Sequence, residues 1–126
     1  MDWQIKWAVE HGISFFMVDW YWSAGSRHNE HWLHAFEQAR YREYLKWCIM
    51  WANHNRPGTH SEDDQRAVTQ YWLDHCFNMP EYYRIDNKPM VIIWSPHRMR
   101  QDMAGGGGLR RLLDISREMA LSLIHI

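Results

Sequence analysis

Short, nearly unbroken apolar runs constrain the fold of this chain more than any other sequence feature. Residues 13–20 read ISFFMVDW, with Ser14 and Asp19 as the two polar side chains. Residues 44–52 (YLKWCIMWA) and 90–94 (MVIIW) are similarly apolar. Strands buried on both faces have this composition, and such strands belong to parallel sheets. We therefore predict three parallel strands near residues 13–19, 45–51 and 90–94.

Helical patterns alternate with these runs. Apolar side chains recur at helical spacing in residues 1–9, 32–39, 68–72 and 109–120. Ser61, with Asp64 three residues later, resembles a capping box that opens the third of these helices. Asp86-Asn87 indicates a turn, and we expect residues 23–30 to form a polar loop and residues 105–108, four glycines, to form a flexible one.

Alternating strands and helices specify an α/β fold in which right-handed crossovers connect parallel strands. The pattern alone leaves a doubly wound sheet and a barrel open. An eight-stranded barrel needs ~250 residues, whereas this chain has 126. We therefore expect a truncated fragment of one domain, with about three strands and flanking helices.

The last six residues, LSLIHI, resemble a translated adapter from a sequencing library. We expect the domain to span residues 1–120 and residues 121–126 to be a non-native tail. The alternative is the start of a genuine apolar strand.

Composition narrows the class of ligand. The formal charge of -1, from 14 basic and 15 acidic residues, gives no electrostatic footprint for nucleic acid or an anionic membrane surface. No apolar stretch approaches the ~20 residues that a membrane helix needs. The two cysteines are expected to be free and buried. A neutral or small ligand fits this composition, and nine tryptophans and six tyrosines offer stacking faces.

Four motifs carry a resemblance to a known family, namely EHGI (residues 10–13), DWYW (19–22), WANHN (51–55) and YRIDNKP (83–89). Together they resemble the family 99-like glycoside hydrolases and the WbsX-type polysaccharide proteins grouped with them. This resemblance implies a partial parallel (β/α)8 TIM-type barrel that acts on glycans. Two departures stand out: His54 replaces the Glu of many relatives, and Asn87 replaces the commoner Gly.

The resemblance also implies that the catalytic carboxylates lie in a Glu-rich motif on a later strand. The glutamates here fall in helices or loops at positions that we expect to be solvated; they are Glu10, Glu30, Glu37, Glu43, Glu62, Glu81 and Glu118. We assign no catalytic residue, no cofactor and no metal, and we expect the chain alone to show no glycosidase activity, because glycoside cleavage needs a pair of carboxyl groups.

Ligands of β/α barrels bind at the C-terminal ends of the strands. Aromatic rings there would stack on sugar faces, and Asp, Asn and His side chains would bind the hydroxyl groups. The competing interpretation is that the tryptophans pack between strands and helices. The candidate substrate-binding residues are Asp19, Trp20, Tyr21, Trp22, Trp51, Asn53, His54, Asn55 and His97.

Three functions remain open. The first is hydrolysis or transfer of glycosidic bonds by the parent protein, with a glycan as partner. The second is a catalytically silent, glycan-binding barrel. The third is a metal-dependent barrel hydrolase that uses His28, His31 and His34, although these histidines match no defined zinc motif and are expected to be solvated.

Overall fold

A computed structural model describes residues 1–124 of the chain. The helices are α1 (Asp2–Glu10), α2 (His31–Glu37), α3 (Glu62–His75), α4 (Pro96–Asp102) and α5 (Gly106–Ile124), with a 3₁₀ turn at Arg42–Tyr44. The strands are β1 (Phe15–Ser23), β2 (Ser26–His28), β3 (Lys46–Trp51), β4 (Arg84–Ile85), β5 (Lys88–Pro89) and β6 (Val91–Ile93).

The main sheet has the strand order β2-β1-β3-β6. Strands β1, β3 and β6 are parallel, with Val18 paired to Ile49 and Ile49 paired to Val91. Val18 and Ile92 are both partly buried. The prediction of three parallel strands, adjacent in chain order, is therefore confirmed. The fold is a mixed α/β fold, and the four-stranded sheet of the described residues is open.

Strand β1 extends four residues beyond its predicted end. Ala24 and Gly25 both have positive φ (47° and 91°), as a tight hairpin turn requires. The chain therefore folds back, and β2 pairs antiparallel with β1. The expectation of a polar loop at residues 23–30 is wrong for residues 26–28, because this turn makes a hairpin.

The two faces of the sheet differ in cover. Trp20 on β1 packs against Trp72 of α3, with ring centroids 5.8 Å apart, and Trp47 on β3 packs against Trp32 of α2 at 5.0 Å. Strand alternation places Met17 and Asp19 on the opposite face, where both are exposed. Helices therefore cover one face, and the other is open at β1.

A short hairpin, β4–β5, lies between α3 and β6. Tyr82 bridges to Trp47 in a parallel arrangement, and the chain then leaves the sheet as the β4–β5 pair. Asp86 and Asn87 at its tip have φ of 51° and 63°, which confirms the turn predicted there. The main chain rejoins the sheet at β6.

The glycine run departs from its prediction. Residues 106–108 begin helix α5 rather than forming a flexible loop. A Cβ atom on Gly108 would lie 2.4 Å from Cβ of Met103, so glycine permits the close approach of α4 and α5. The predicted tail starts inside α5, which continues to Ile124, and residues 125–126 lie outside the described residues.

Two smaller predictions are confirmed. The Ser61 hydroxyl accepts a hydrogen bond from the Asp64 backbone N–H at 3.0 Å and caps helix α3. Cys48 and Cys76 are free and buried, and burial raises the pKa of the Cys76 thiol to about 12.

Among the helices of the described residues, none is long and apolar enough to cross a membrane.

The Tyr82 hydroxyl joins β3 to the residue that precedes β6. It accepts a hydrogen bond from the Ile49 N–H at 3.2 Å and donates one to the Met90 carbonyl at 2.5 Å. Replacing Tyr82 by Phe leaves both backbone groups without this partner, so we expect a loss of about 1–3 kcal/mol in the free energy of unfolding, measured with urea. Tyr44→Phe, at a 64% exposed position, is the matched control. Equal stability of the two variants would contradict this role of Tyr82.

Candidate functional site

The C-terminal ends of β1, β3 and β6 meet at one edge of the sheet, as parallel strands require. Four of the nine candidate residues lie in β1 from its middle onward, Trp51 ends β3, and the other four follow β3 or β6. Their side chains separate into two groups. Trp20, Trp22, Trp51 and Asn53 are buried, and Asn55 is partly buried beneath the hairpin. The exposed or partly exposed group is Asp19, Tyr21, His54 and His97.

Trp20 and Trp22 lie under α3 and present no open ring face. Trp20 is 1% exposed, and its indole N–H donates to Glu30 Oε1 at 3.0 Å. Its ring stacks on Tyr71, with centroids 5.6 Å apart and planes at 18°. Trp22 donates to Asp64 Oδ1 at 3.0 Å, and burial raises the pKa of that carboxyl. Both indoles therefore have packing partners and a fixed acceptor.

Trp51 and Asn55 hold the β1 hairpin to the end of β3. The Trp51 indole N–H and the Asn55 side-chain amide both donate to the Trp22 carbonyl oxygen, at 3.2 Å and 2.9 Å. Trp51 is fully buried. These contacts fix where the hairpin leaves the edge of the sheet.

Asn53 joins the ends of β3 and β6. Its Oδ1 accepts the Ser95 N–H at 2.6 Å, and its Nδ2 donates to the Ser95 carbonyl at 2.8 Å. The second N–H of the amide points to His60 Nε2 at 3.2 Å. The side chain is completely buried, and both of its polar atoms have partners inside the protein.

His60 and Asp102 complete this buried network. His60 Nδ1 lies 2.7 Å from Asp102 Oδ2. An ionised carboxylate only accepts, so Nδ1 donates to Asp102 and Nε2 faces the Asn53 amide. Burial alone would raise the pKa of Asp102. Hydrogen bonds from Gly58 and His60 together lower it by more, so the pKa lies below its ordinary value.

The exposed group comes from β1, from the segment after β3 and from the first turn of α4. Tyr21 and His54 meet edge to face, with ring centroids 6.3 Å apart. Trp94 directly follows β6, and its backbone N–H continues the ladder to the Trp51 carbonyl at 3.0 Å. Its side chain is 65% exposed. His97 lies in the first turn of α4, a helix that the sequence did not predict.

The sequence places residues 94–97 at the mouth formed by the strand ends, but Trp94 is not among the nine candidate substrate-binding residues. The signal that would have found it is strand alternation: Trp94 follows Ile92 by two residues, and Ile92 pairs with Met50, which pairs with Asp19. These residues therefore share the face opposite the helices. Trp94 is the large aromatic side chain with an open ring at this edge.

Two glutamates are not solvated as predicted. Glu81 is 7% exposed and accepts two hydrogen bonds from Arg42, at 2.9 Å and 3.1 Å. This Arg42 contact lowers the pKa of Glu81. Glu30 accepts from Trp20, Tyr71 and Arg27. Both carboxylates are committed to structural partners, which sequence spacing alone does not reveal.

The three histidines of the metal hypothesis do not form a cluster. His28, His31 and His34 are exposed, as expected. Within residues that the structure describes, no group of three or more His, Cys, Asp or Glu side chains is placed to hold a metal ion.

A strand-end surface with an open indole, a tyrosine, histidines and one carboxylate can stack on a flat ring and bind its hydroxyl groups. These features describe an α/β domain with exposed aromatic and polar side chains near the C-terminal ends of its parallel strands. The family described as glycosyltransferase WbsX matches residues 1–113. The chain belongs to this family, and it is thus a member of a carbohydrate-active group. Comparisons with curated proteins and with solved structures gave no match.

Asn53 provides a test of the buried group. Replacing Asn53 by Ala leaves the Ser95 backbone groups and the His60 ring without their partner, and we expect the free energy of unfolding to fall by about 1–3 kcal/mol. His54→Ala, at the exposed neighbouring position, is the control and should change stability by less than about 0.5 kcal/mol. The reverse order of effects in urea unfolding would contradict the assignment.

The Asp102 network also predicts a pH dependence. Because the folded-state pKa of Asp102 lies below its ordinary value of 3.8, its contribution to stability is present above that value. The contribution is lost as the pH falls below it, when the carboxylate is protonated. Asp102→Asn should reduce stability at neutral pH and flatten the fall in unfolding free energy between roughly pH 5 and 3. An unchanged acid dependence in the variant would show that Asp102 is not its source.

Proposed function

We propose that this domain binds a glycan at the C-terminal ends of β1, β3 and β6, within a protein that hydrolyses or transfers glycosidic bonds. The observation that carries the proposal is the 65% exposed Trp94 on the same sheet face as Asp19. Membership of a carbohydrate-active family supports it.

The chemistry of the exposed group suits a sugar ring. Pyranose rings present C–H groups on one face, and an indole ring stacks on that face. Carboxylate, phenol and imidazole groups supply acceptors and donors for the surrounding hydroxyl groups, and these are Asp19, Tyr21, His54 and His97. The glycan-facing surface is thus proposed to consist of these four residues and Trp94.

The buried group has a different role in this proposal. Trp20, Trp22 and Trp51 fill the space between sheet and helices, and Asn53 ties the β6 end to the β3 end. Asn55 supports the hairpin that presents Tyr21. These five residues position the surface rather than contact the sugar, because their polar atoms and ring faces already have protein partners.

Binding rather than bond cleavage is proposed for these residues. Asp19 is the one carboxylate in β1, β3 and β6, whereas glycoside cleavage needs two carboxyl groups across the bond. The parallel order β1-β3-β6 with helices on one face is also the local arrangement of a (β/α)8 barrel. We propose that larger fold for the parent protein. A glycan-binding barrel without catalysis is the second candidate, favoured by the lone Asp19.

Trp94→Ala tests the proposed surface. Loss of a stacking ring should weaken binding of a neutral oligosaccharide by roughly 0.5–1.5 kcal/mol in calorimetry, with little change in thermal stability, because the side chain is exposed. Trp22→Ala is the matched comparison: it removes a buried indole and should lower stability by about 3–5 kcal/mol.

The two variants separate the site from its scaffold. If Trp22→Ala weakens binding without loss of stability while Trp94→Ala has no effect on affinity, the stacking surface lies at Trp22 and the proposed surface is wrong.

A further inference from the structure

Exposed aromatic rings also gather away from the strand ends, around α1 and the segment before β3. Trp3 and Trp7 on α1 are 64% and 55% exposed, with ring centroids 5.8 Å apart. Tyr41 and Tyr44 are 37% and 64% exposed, with centroids 6.4 Å apart. Tyr44 lies just before the N-terminal end of β3, so this group belongs to the opposite end of the sheet from Trp94.

A cavity of about 310 Å³ is lined by one ring from each pair, Trp3 and Tyr41. Its walls come from Asp2, Trp3 and Lys6 of α1 and from Arg40 and Tyr41 of the following segment. The Tyr41 backbone N–H donates to Asp2 Oδ1 at 3.0 Å. This hydrogen bond fixes the two walls relative to each other.

The charges around the cavity nearly cancel. Lys6 forms an ion pair with Glu10, and its Nζ lies 6.0 Å from the centre of the Trp3 ring. Asp2 and Arg40 contribute one negative and one positive charge at the walls. The cavity therefore combines open rings with donors and acceptors of both signs, a combination that suits an uncharged, hydroxyl-rich ligand.

A protein partner fits this surface less well. The centres of protein interfaces are depleted in Asp and Lys, whereas Asp2 and Lys6 lie directly beside the rings here. A membrane surface would require an excess of cations, which the balanced charges do not supply.

We propose that the Trp3–Tyr41 cavity is a second glycan-binding site, which takes a neutral oligosaccharide independently of the strand-end surface. The inference rests on the proposed function for its class of ligand. It adds a site at the other end of the sheet, so that one glycan chain, or two, would contact the domain at two places.

Single and double variants of the full chain test this site. The probes are uncharged linear hexaoses of glucose, mannose, galactose and xylose, titrated by calorimetry against the wild type, Trp3→Ala, Trp94→Ala and the double variant. Trp3→Ala should weaken binding of at least one hexaose roughly two- to twelve-fold without changing the thermal unfolding midpoint. The effects of the two substitutions should add, because the sites lie far apart.

The outcomes separate the two proposals. If only Trp3→Ala weakens binding, the second site is supported and the strand-end site is contradicted. If only Trp94→Ala weakens binding, the strand-end site is supported and the second site is contradicted. Affinity should be the same at low and high salt; a strong salt dependence would contradict a neutral ligand. No binding of any hexaose, or an effect of Trp3→Ala on self-association alone in light scattering, would overturn the second site.

Discussion

Desolvation of the central strand β3 is the constraint on which the rest of the structure depends. Five of its six residues are buried, from Trp47 to Trp51. The backbone N–H and C=O groups of a buried strand need hydrogen-bond partners. Strand β3 pairs with β1 on one edge, and with β6 and Tyr82 on the other. Parallel neighbours follow, and with them a common edge where three strand ends meet.

The helix-covered face of β3 requires large apolar partners, and tryptophans supply them. Trp47 meets Trp32 and Phe36 of α2, while Trp51 meets Trp72 of α3. Each indole also carries a polar N–H that costs free energy when it is buried without an acceptor, and those of Trp32, Trp47 and Trp72 are buried without one. Glu30 and Asp64 accept the N–H groups of Trp20 and Trp22. Carboxylates that resemble surface residues in the sequence are therefore part of the scaffold.

The sequence predicted the parallel strands because each one is a short apolar run, and it predicted α3 because Ser61 signals a helix start. It did not show which tryptophans are buried. Trp22 and its acceptor Asp64 are 42 residues apart in the sequence, and Trp20 and its stacking partner Tyr71 are even farther apart. Contacts at such separations arise from tertiary packing, which local sequence patterns do not predict.

Two local departures have equally specific causes. Ala24 has a positive φ, although alanine rarely adopts the left-handed region. The sequence therefore indicated the hairpin after β1 only weakly. The glycine run resembles a flexible segment by composition, yet Gly108 is required for the approach to Met103. In both cases the tertiary arrangement, rather than the propensity of the residue, decides the backbone conformation.

The central claim is that the strand-end surface recognises a glycan through Trp94 while Trp20 and Trp51 remain inside the scaffold. Indole N–H resonances of the ¹⁵N-labelled chain, followed during titration with a neutral oligosaccharide, test it most directly, because each tryptophan reports separately. We expect the Trp94 resonance to shift until the oligosaccharide saturates the site, and the resonances of Trp20 and Trp51 to stay in place. Shifts of Trp20 and Trp51 with an unchanged Trp94 resonance would contradict it.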